Sequence, residues 1–172
     1  WVLLSVMCWF PVVALAHKGS DAFLSVSVVD NQISGYWDIH LRDLQITMGV
    51  DNNGDGNVTW GELYDRQQAI RAYLEARLVL ANHGEVCVAA TGDVQVSEHS
   101  DGVYARYPLH AACADTVSAL TVRYNYLFDL DAQHRALISV SDATGTQTRV
   151  LSRDQPDVTL TRDHSIYATW VD

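Results

Sequence analysis

The chain is poor in basic residues and in glutamate. Its 172 residues include 11 Lys and Arg against 21 Asp and Glu, which gives a formal net charge of −10, and Lys18 is the only lysine. A surface of this sign repels the phosphates of nucleic acids and attracts cations. We therefore expect no nucleic-acid partner and favour a metal ion. Most of the acids are Asp, which is typical of turns and metal-binding loops.

Apolar runs long enough to span a membrane are absent. Residues 1–16 carry no charge and end in Ala14-Leu15-Ala16, directly before a polar stretch. A membrane-spanning helix needs about 20 apolar residues, whereas a shorter apolar segment with this ending is typical of a secretory signal peptide. We predict that residues 1–16 are such a signal, lacking its basic n-region, and that residues 17–172 form one exported domain. A membrane anchor or a buried apolar segment is the alternative.

Cysteine is also scarce. Cys8 lies in the predicted signal, which leaves Cys87 and Cys113 without any Cys-x-x-Cys spacing. An even cysteine count in an exported domain favours a disulfide over a thiolate metal site. A Cys87–Cys113 disulfide would close a loop of about 26 residues and stabilise the fold by roughly 3 kcal/mol.

Hydrophobic periodicity predicts strands on either side of one pair of helices. Period two predicts a hairpin from residues 23–28 and 33–39. An apolar face with helical spacing predicts a short helix over 41–48 and a longer one over about 60–80. Further strands are predicted over residues 86–88, 94–96, 103–109, 120–128, 137–140, 148–151 and 158–160. The predicted fold is α+β, a single antiparallel β-sandwich with a helix-loop-helix inserted at about residues 40–80.

The segment between the two predicted helices has the spacing of an EF-hand calcium loop. Gly56 occupies position 6, where a sharp turn requires positive φ. Positions 1, 3, 5, 7, 9 and 12 are Asp51, Asn53, Asp55, Asn57, Thr59 and Glu62. Ca²⁺ prefers six to eight oxygen ligands, and with three carboxylates and no second loop we expect a Kd of about 10⁻⁴–10⁻³ M. The alternative is a solvated turn.

Four runs of sequence carry a family resemblance. They are residues 16–21, residues 37–44, the calcium loop continuing into Thr59-Trp60-Gly61-Glu62-Leu63, and residues 124–134 with Phe128-Asp129-x-Asp131-x-x-His134. Together they resemble the extracytoplasmic N-terminal region of the HupE/UreJ family. The resemblance implies a bacterial domain on the periplasmic or extracellular face of the membrane, which precedes a membrane portion of the same protein. It also implies a link to nickel permeation or to hydrogenase and urease maturation.

The histidines suggest a second metal hypothesis. All seven are scattered, without a His-x-x-x-His pair. Cleavage after Ala16 would give His17 a free α-amino group, which with His134 could ligate Ni²⁺ or Cu²⁺. A capture domain of this kind is one alternative to calcium binding, and a purely structural interaction module is another.

Motifs of catalysis are missing from the sequence. It has no Gly-x-Ser-x-Gly turn and no glycine-rich phosphate loop. Asp129 and Asp131 directly follow a predicted strand in a segment rich in Asp, and we interpret them as solvated turn residues rather than as a catalytic carboxylate pair. Trp37, Trp60 and Tyr126 are expected in the core rather than on a sugar-binding face. We therefore predict a non-catalytic accessory domain.

Overall fold

The first hairpin forms where the alternating pattern predicts it. In the computed structural model, which describes residues 19–161, β1 spans Asp21–Val29 and β2 spans Gln32–His40. Burial alternates along β1 and places Leu24 and Val26 in the core. Asp30 occupies the connection with a φ of 52°, a left-handed conformation that Asp tolerates better than most residues.

Two helices follow the hairpin directly. They are α1 (Leu41–Met48) and α2 (Trp60–Glu75). The strands that follow in the described part of the chain are β3 (Leu78–Asn82), β4 (Glu85–Val86), β5 (Val88–Thr91), β6 (Gln95–His99), β7 (Gly102–Ala112), β8 (Ala119–Tyr124), β9 (Arg135–Asp142), β10 (Gly145–Leu151) and β11 (Asp157–Thr161).

The strands form two sheets around one core. The larger sheet has the order β10-β9-β1-β2-β7-β5, with β6 also paired to β7, and the smaller sheet has the order β11-β8-β3-β4. A single cluster of buried apolar side chains draws on both sheets and on both helices. The predicted α+β class is confirmed, with a sandwich-like arrangement of sheets and the helices inserted after the first hairpin.

One strand pair departs from the antiparallel pattern. β1 runs parallel to β9, with Asp21 opposite Arg135 at the start of both strands. Parallel neighbours need a long connection, and here it includes most of the domain. Hydrophobic periodicity shows which face of a strand is buried but not which strand lies beside it, so the sequence did not reveal this pairing.

The second helix ends earlier than predicted. α2 stops at Glu75, and the residues from Leu78 onward form β3 between β4 and β8. Leu74 and Leu78 have helical spacing, yet Leu78 and Leu80 are both buried as alternate residues of a strand. A short apolar run is compatible with a buried helix or a buried strand, and this one was interpreted wrongly.

Two predicted strands are also divided or shortened. Residues 86–88 belong to two strands in different sheets, and the chain crosses between the sheets at Cys87. Cys87 and Cys113 form a disulfide at this crossing. The strand predicted over 120–128 ends at Tyr124, because the chain then turns out of the sheet with Leu127 at a φ of 66°.

The predicted signal peptide, residues 1–16, lies outside the described residues. Between residues 19 and 161, no helix has both the length and the apolar character that crossing a membrane requires.

The pairing of β1 and β2 depends on a close backbone approach at Gly35, opposite Val26. A Cβ at Gly35 would overlap the Ser25 carbonyl and lie 2.7 Å from the Val26 Cα. We expect Gly35→Ala to lower the free energy of unfolding in urea by about 2–3 kcal/mol. The matched control is Gly61→Ala in α2, where a Cβ meets no atom within 4 Å and should stabilise by up to about 1 kcal/mol. Equal stability of the two variants would contradict this packing.

Candidate functional site

The predicted calcium loop lies between the two helices, as expected. α1 is capped at its C-terminal end by Gly49, which has a left-handed φ of 59°, and α2 begins after the N-cap residue Thr59. Leu44 in α1 and Leu63 in α2 are almost completely buried. The core therefore fixes both ends of the loop.

The backbone of the loop turns sharply around the side chain of Asp51. Gly54 and Gly56 have φ angles of 72° and 85°, which confirms the positive φ predicted for Gly56. Their amides donate hydrogen bonds to the two carboxylate oxygens of Asp51, at 2.7 Å to Oδ1 and 2.9 Å to Oδ2. The carboxylate at position 1 is thus held inside the turn.

The residues at positions 3 and 5 are bonded to one another and to the backbone. Asn53 donates its Nδ2 hydrogen to Asp55 Oδ2 at 3.1 Å and accepts the Asp55 amide on Oδ1 at 2.8 Å. The other oxygen of Asp55 accepts the amide of Asn57 at 2.8 Å. These local bonds hold two more side-chain oxygens within the loop.

Glu62 closes the loop from its far end. Its Oε1 accepts the Asn52 amide at 2.9 Å, and its Oε2 accepts the Thr59 amide at 2.9 Å and the Thr59 hydroxyl at 2.7 Å. The bonds from Thr59 are the main reason that the pKa of Glu62 lies below its usual value. Thr59 and Glu62 form a capping box at the start of α2. Sequence reasoning missed it, although Thr-x-x-Glu is its signature.

The donor set of the loop fits a hard cation. All six predicted ligands offer oxygen, and three of them, Asp51, Asp55 and Glu62, are carboxylates. Across residues 19–161, however, no three His, Cys, Asp or Glu side chains are grouped as ready-made metal ligands. In the loop, the carboxylates instead accept hydrogen bonds from nearby amides. A bound Ca²⁺ would have to draw these carboxylates towards one point.

Trp60 is not in the core, contrary to the prediction. Its side chain is 49% exposed, whereas Trp37 and Tyr126 are fully buried as predicted. Trp60 is the first residue of α2 and lies beside Tyr64, four residues later, with ring centroids 6.2 Å apart. Tyr64 is also exposed, so the two rings form a row on the outer side of the helix.

His134, the second predicted transition-metal ligand, is completely buried. Its Nδ1 lies 2.6 Å from the Ser20 hydroxyl and its Nε2 lies 2.8 Å from the Tyr124 hydroxyl. The rings of Tyr124, Tyr126 and Phe128 surround it, with centroids 5.7–5.8 Å away. Burial lowers the pKa of His134 to about 4, so the ring is neutral at neutral pH. Its predicted partner His17 lies outside the described residues, and a Ni²⁺ or Cu²⁺ site shared by the two stays a prediction.

Asp43 lies beside this histidine, in the first turn of α1. It is 1% exposed, and its Oδ2 is 3.9 Å from His134 Nδ1. That oxygen accepts no hydrogen bond from the described residues. Burial raises the pKa of Asp43 to about 7. Sequence reasoning missed Asp43 and Ser20 as neighbours of His134, because no local spacing connects three such distant segments.

Asp129 and Asp131 lie in the turn between β8 and β9. The amides of Leu130 and Asp131 both donate to the Leu127 carbonyl, at 3.0 and 2.8 Å. The Asp131 carboxylate accepts the amide of Gln133 at 2.8 Å. These contacts are typical of turn residues, and the absence of catalysis stays a prediction.

Comparison with known proteins adds no family to this description. The chain matches no protein-family model, and no curated protein matches it. The HupE/UreJ resemblance thus depends on the four sequence runs alone.

Asp43 and His134 are expected to change the pH dependence of stability in opposite directions. The folded state keeps a proton on Asp43 that the unfolded state loses above about pH 4, so this group makes stability fall as the pH rises to about 7. The unfolded state binds a proton on His134 below pH 6.5 that the folded state excludes, so this group makes stability rise with pH from about 4 to 6.5. Over that interval the two contributions oppose one another.

The variant Asp43→Asn should isolate the contribution of Asp43 to the pH dependence of stability. We expect the unfolding free energy of Asp43→Asn, minus that of the wild type, to grow by about 1.4 kcal/mol per pH unit between about pH 4 and 7. Urea denaturation at half-unit pH steps measures it. Asp115→Asn, which removes an exposed acid, should show no such slope. A pH-independent difference for Asp43→Asn would contradict the assigned protonation.

Proposed function

We propose that this chain is a Ca²⁺-binding extracytoplasmic domain, the non-catalytic accessory region of a HupE/UreJ-like membrane protein. One observation carries the calcium part of the proposal. Residues 51–62 run from the end of α1 into the first turn of α2, with Gly56 at positive φ and Glu62 bonded back across the loop to the amide of Asn52. This combination of spacing and turn geometry is what an EF-hand loop requires.

Each loop residue has a definite role in the proposal. Asp51, Asn53 and Asp55 offer side-chain oxygens that already lie inside the turn. Asn57 would add its carbonyl and Thr59 its hydroxyl, directly or through water, while Glu62 would provide one or both carboxylate oxygens. The positive charge of the bound ion would offset the charge of the three carboxylates. Its coordination by the loop residues would tie α1 to α2. Its role would be structural.

The extracytoplasmic part of the proposal draws on different features. The Cys87–Cys113 disulfide is of a kind that persists in oxidising compartments. The apolar segment at residues 1–16 has the ending of a cleaved secretory signal. The HupE/UreJ resemblance implies that the domain lies at a bacterial membrane and that its partner is the membrane portion of the same protein.

Calcium is better supported than Ni²⁺ or Cu²⁺. Both ring nitrogens of His134 are hydrogen-bonded inside the aromatic cluster, so metal binding there would break two buried bonds. The calcium loop, by contrast, is exposed, and its oxygens are accessible to an ion from solvent.

Calorimetric titration of the purified, metal-stripped chain tests the proposal. We expect one Ca²⁺ per chain with a Kd of about 10⁻⁴–10⁻³ M. With a Kd of about 0.1 mM, Ca²⁺ at about 1 mM should stabilise the fold by roughly 1.4 kcal/mol. Mg²⁺ should bind more weakly, because it demands a tighter octahedral geometry.

The variant Glu62→Gln separates ion binding from helix capping. Glutamine can keep the capping box but lacks the charge, so we expect Ca²⁺ affinity to fall by about tenfold or more while the fold persists. Asp65→Asn, an exposed acid of α2 outside the loop, is the matched control and should leave affinity unchanged. Absence of Ca²⁺ binding would overturn the proposal, and so would tight Ni²⁺ or Cu²⁺ binding with Ca²⁺ affinity indifferent to Glu62→Gln.

A further inference from the structure

The loop contains a dipeptide, Asn53-Gly54, that is chemically reactive in its own right. Asn53 is the only one of the six asparagines of the chain that is followed by glycine. Both residues are exposed. Asparagine is a thermolabile residue, because the backbone nitrogen of the next residue can attack its side chain. Glycine hinders this attack least, since it has no Cβ and adopts many backbone conformations.

The reaction is a deamidation, and its atoms balance with water as the co-reactant. The Gly54 nitrogen forms a bond to Asn53 Cγ, and the bond between Cγ and Nδ2 breaks. The carboxamide nitrogen leaves as ammonia with the proton that the Gly54 amide gives up. Water then opens the resulting five-membered imide ring at either carbonyl, which leaves aspartate or isoaspartate at position 53. No oxidant or reductant is needed.

Hydrogen bonds in the loop favour each part of this reaction. The Gly54 amide donates to Asp51 Oδ1 at 2.7 Å, which makes the attacking nitrogen more electron-rich. Asn53 Oδ1 accepts the Asp55 amide at 2.8 Å, and a donor in this position stabilises negative charge that develops on the oxygen. Asn53 Nδ2 donates to Asp55 Oδ2 at 3.1 Å, so a carboxylate lies beside the departing nitrogen and stabilises positive charge on it.

The same contacts hold the side chain of Asn53 close to the reacting peptide group. The bond from the Asp55 amide to Asn53 Oδ1 closes a ring that includes Gly54. Asn57 offers a comparison within the loop, because it is also exposed. It is followed by Val58, whose branched Cβ crowds the backbone nitrogen. Asn57 therefore lacks an accessible nucleophile.

We propose that Asn53 is a site of spontaneous deamidation, promoted in the folded chain by its contacts with Asp55 and by the bond from Gly54 to Asp51. The product adds one negative charge to the loop. In the calcium-binding loop proposed above, an aspartate at position 53 would be a fourth carboxylate ligand and should raise the affinity for Ca²⁺. That consequence rests on the calcium proposal, whereas the modification itself does not.

Mass spectrometry of the purified chain during incubation at neutral pH in EDTA tests the modification in the absence of calcium. Cleavage after Arg42 and Arg66 yields a fragment that contains both Asn53 and Asn57. We expect this fragment to gain the mass difference between a carboxamide and a carboxyl group, located at Asn53, while Asn57 stays unmodified. The chain unfolded in guanidinium chloride has lost the loop contacts and should react more slowly.

Variants separate the assistance of the loop from the reactivity of the dipeptide. Gly54→Ala should lose most of the modification, because its Cβ hinders the attack yet meets no other atom of the fold within 4 Å. Asp51→Asn should slow the reaction in the folded chain but not in guanidinium chloride. Asp65→Asn, an exposed acid outside the loop, is the matched control and should not slow it.

Three results would each overturn the proposal. The first is an Asn53 that stays unmodified in the folded chain, and the second is a reaction no faster in the folded chain than in the unfolded one. The third is a reaction in folded Asp51→Asn as fast as in the wild type. Thermal unfolding of each variant, measured alongside, shows that the comparison is made between folded chains. A lack of Ca²⁺ binding in the calorimetric titration would overturn the calcium proposal and leave these results unaffected.

Discussion

The hydrogen bond between Ser20 and His134 holds together the segments on which the rest of the structure depends. The Arg135 amide donates to the Ser20 carbonyl at 3.0 Å, one residue from the His134–Ser20 side-chain contact. From this point β1 and β9 run side by side in parallel. Asp43 packs against the same histidine from α1, so the start of the large sheet also positions the first helix and, through it, the calcium loop.

This buried polar cluster is tolerated because its members are neutral. Burial lowers the pKa of His134 to about 4 and raises that of Asp43 to about 7, so between these pH values an uncharged acid faces an uncharged imidazole. The remaining nitrogen of His134 is bonded to Tyr124. Removing one partner would leave a buried polar group unsatisfied. The cluster therefore contributes to a unique arrangement of β1, β9 and α1 as well as to stability.

Features set by neighbouring residues were predictable from the sequence. The hairpin, the positive φ of Gly56 and the two ends of the loop follow from turn chemistry and helix capping within a dozen residues. The disulfide followed from cysteine count. The α+β class followed from the change of hydrophobic period between the hairpin and the helices.

Features set by distant residues were not predictable. No local pattern shows that Ser20, Asp43 and His134 meet, or that β9 lies beside β1. The end of α2 was missed because Leu78 satisfies both helical and strand spacing, and only its pairing with Tyr124 decides between them. Trp60 was misplaced because its aromatic character suggests burial, whereas its position at the helix start leaves it beside Tyr64 on the outside.

The most direct test of the central claim is the amide resonance of Gly56 in ¹H–¹⁵N NMR spectra during a Ca²⁺ titration. This amide donates to Asp51 Oδ2 at 2.9 Å, so coordination of Asp51 must change its hydrogen bond. The account predicts a saturable shift of Gly56 as Ca²⁺ rises to about 10 mM, with Gly145, the first residue of β10, unmoved. A Gly56 resonance that stays fixed, or that drifts only as much as Gly145, would contradict calcium binding by this loop.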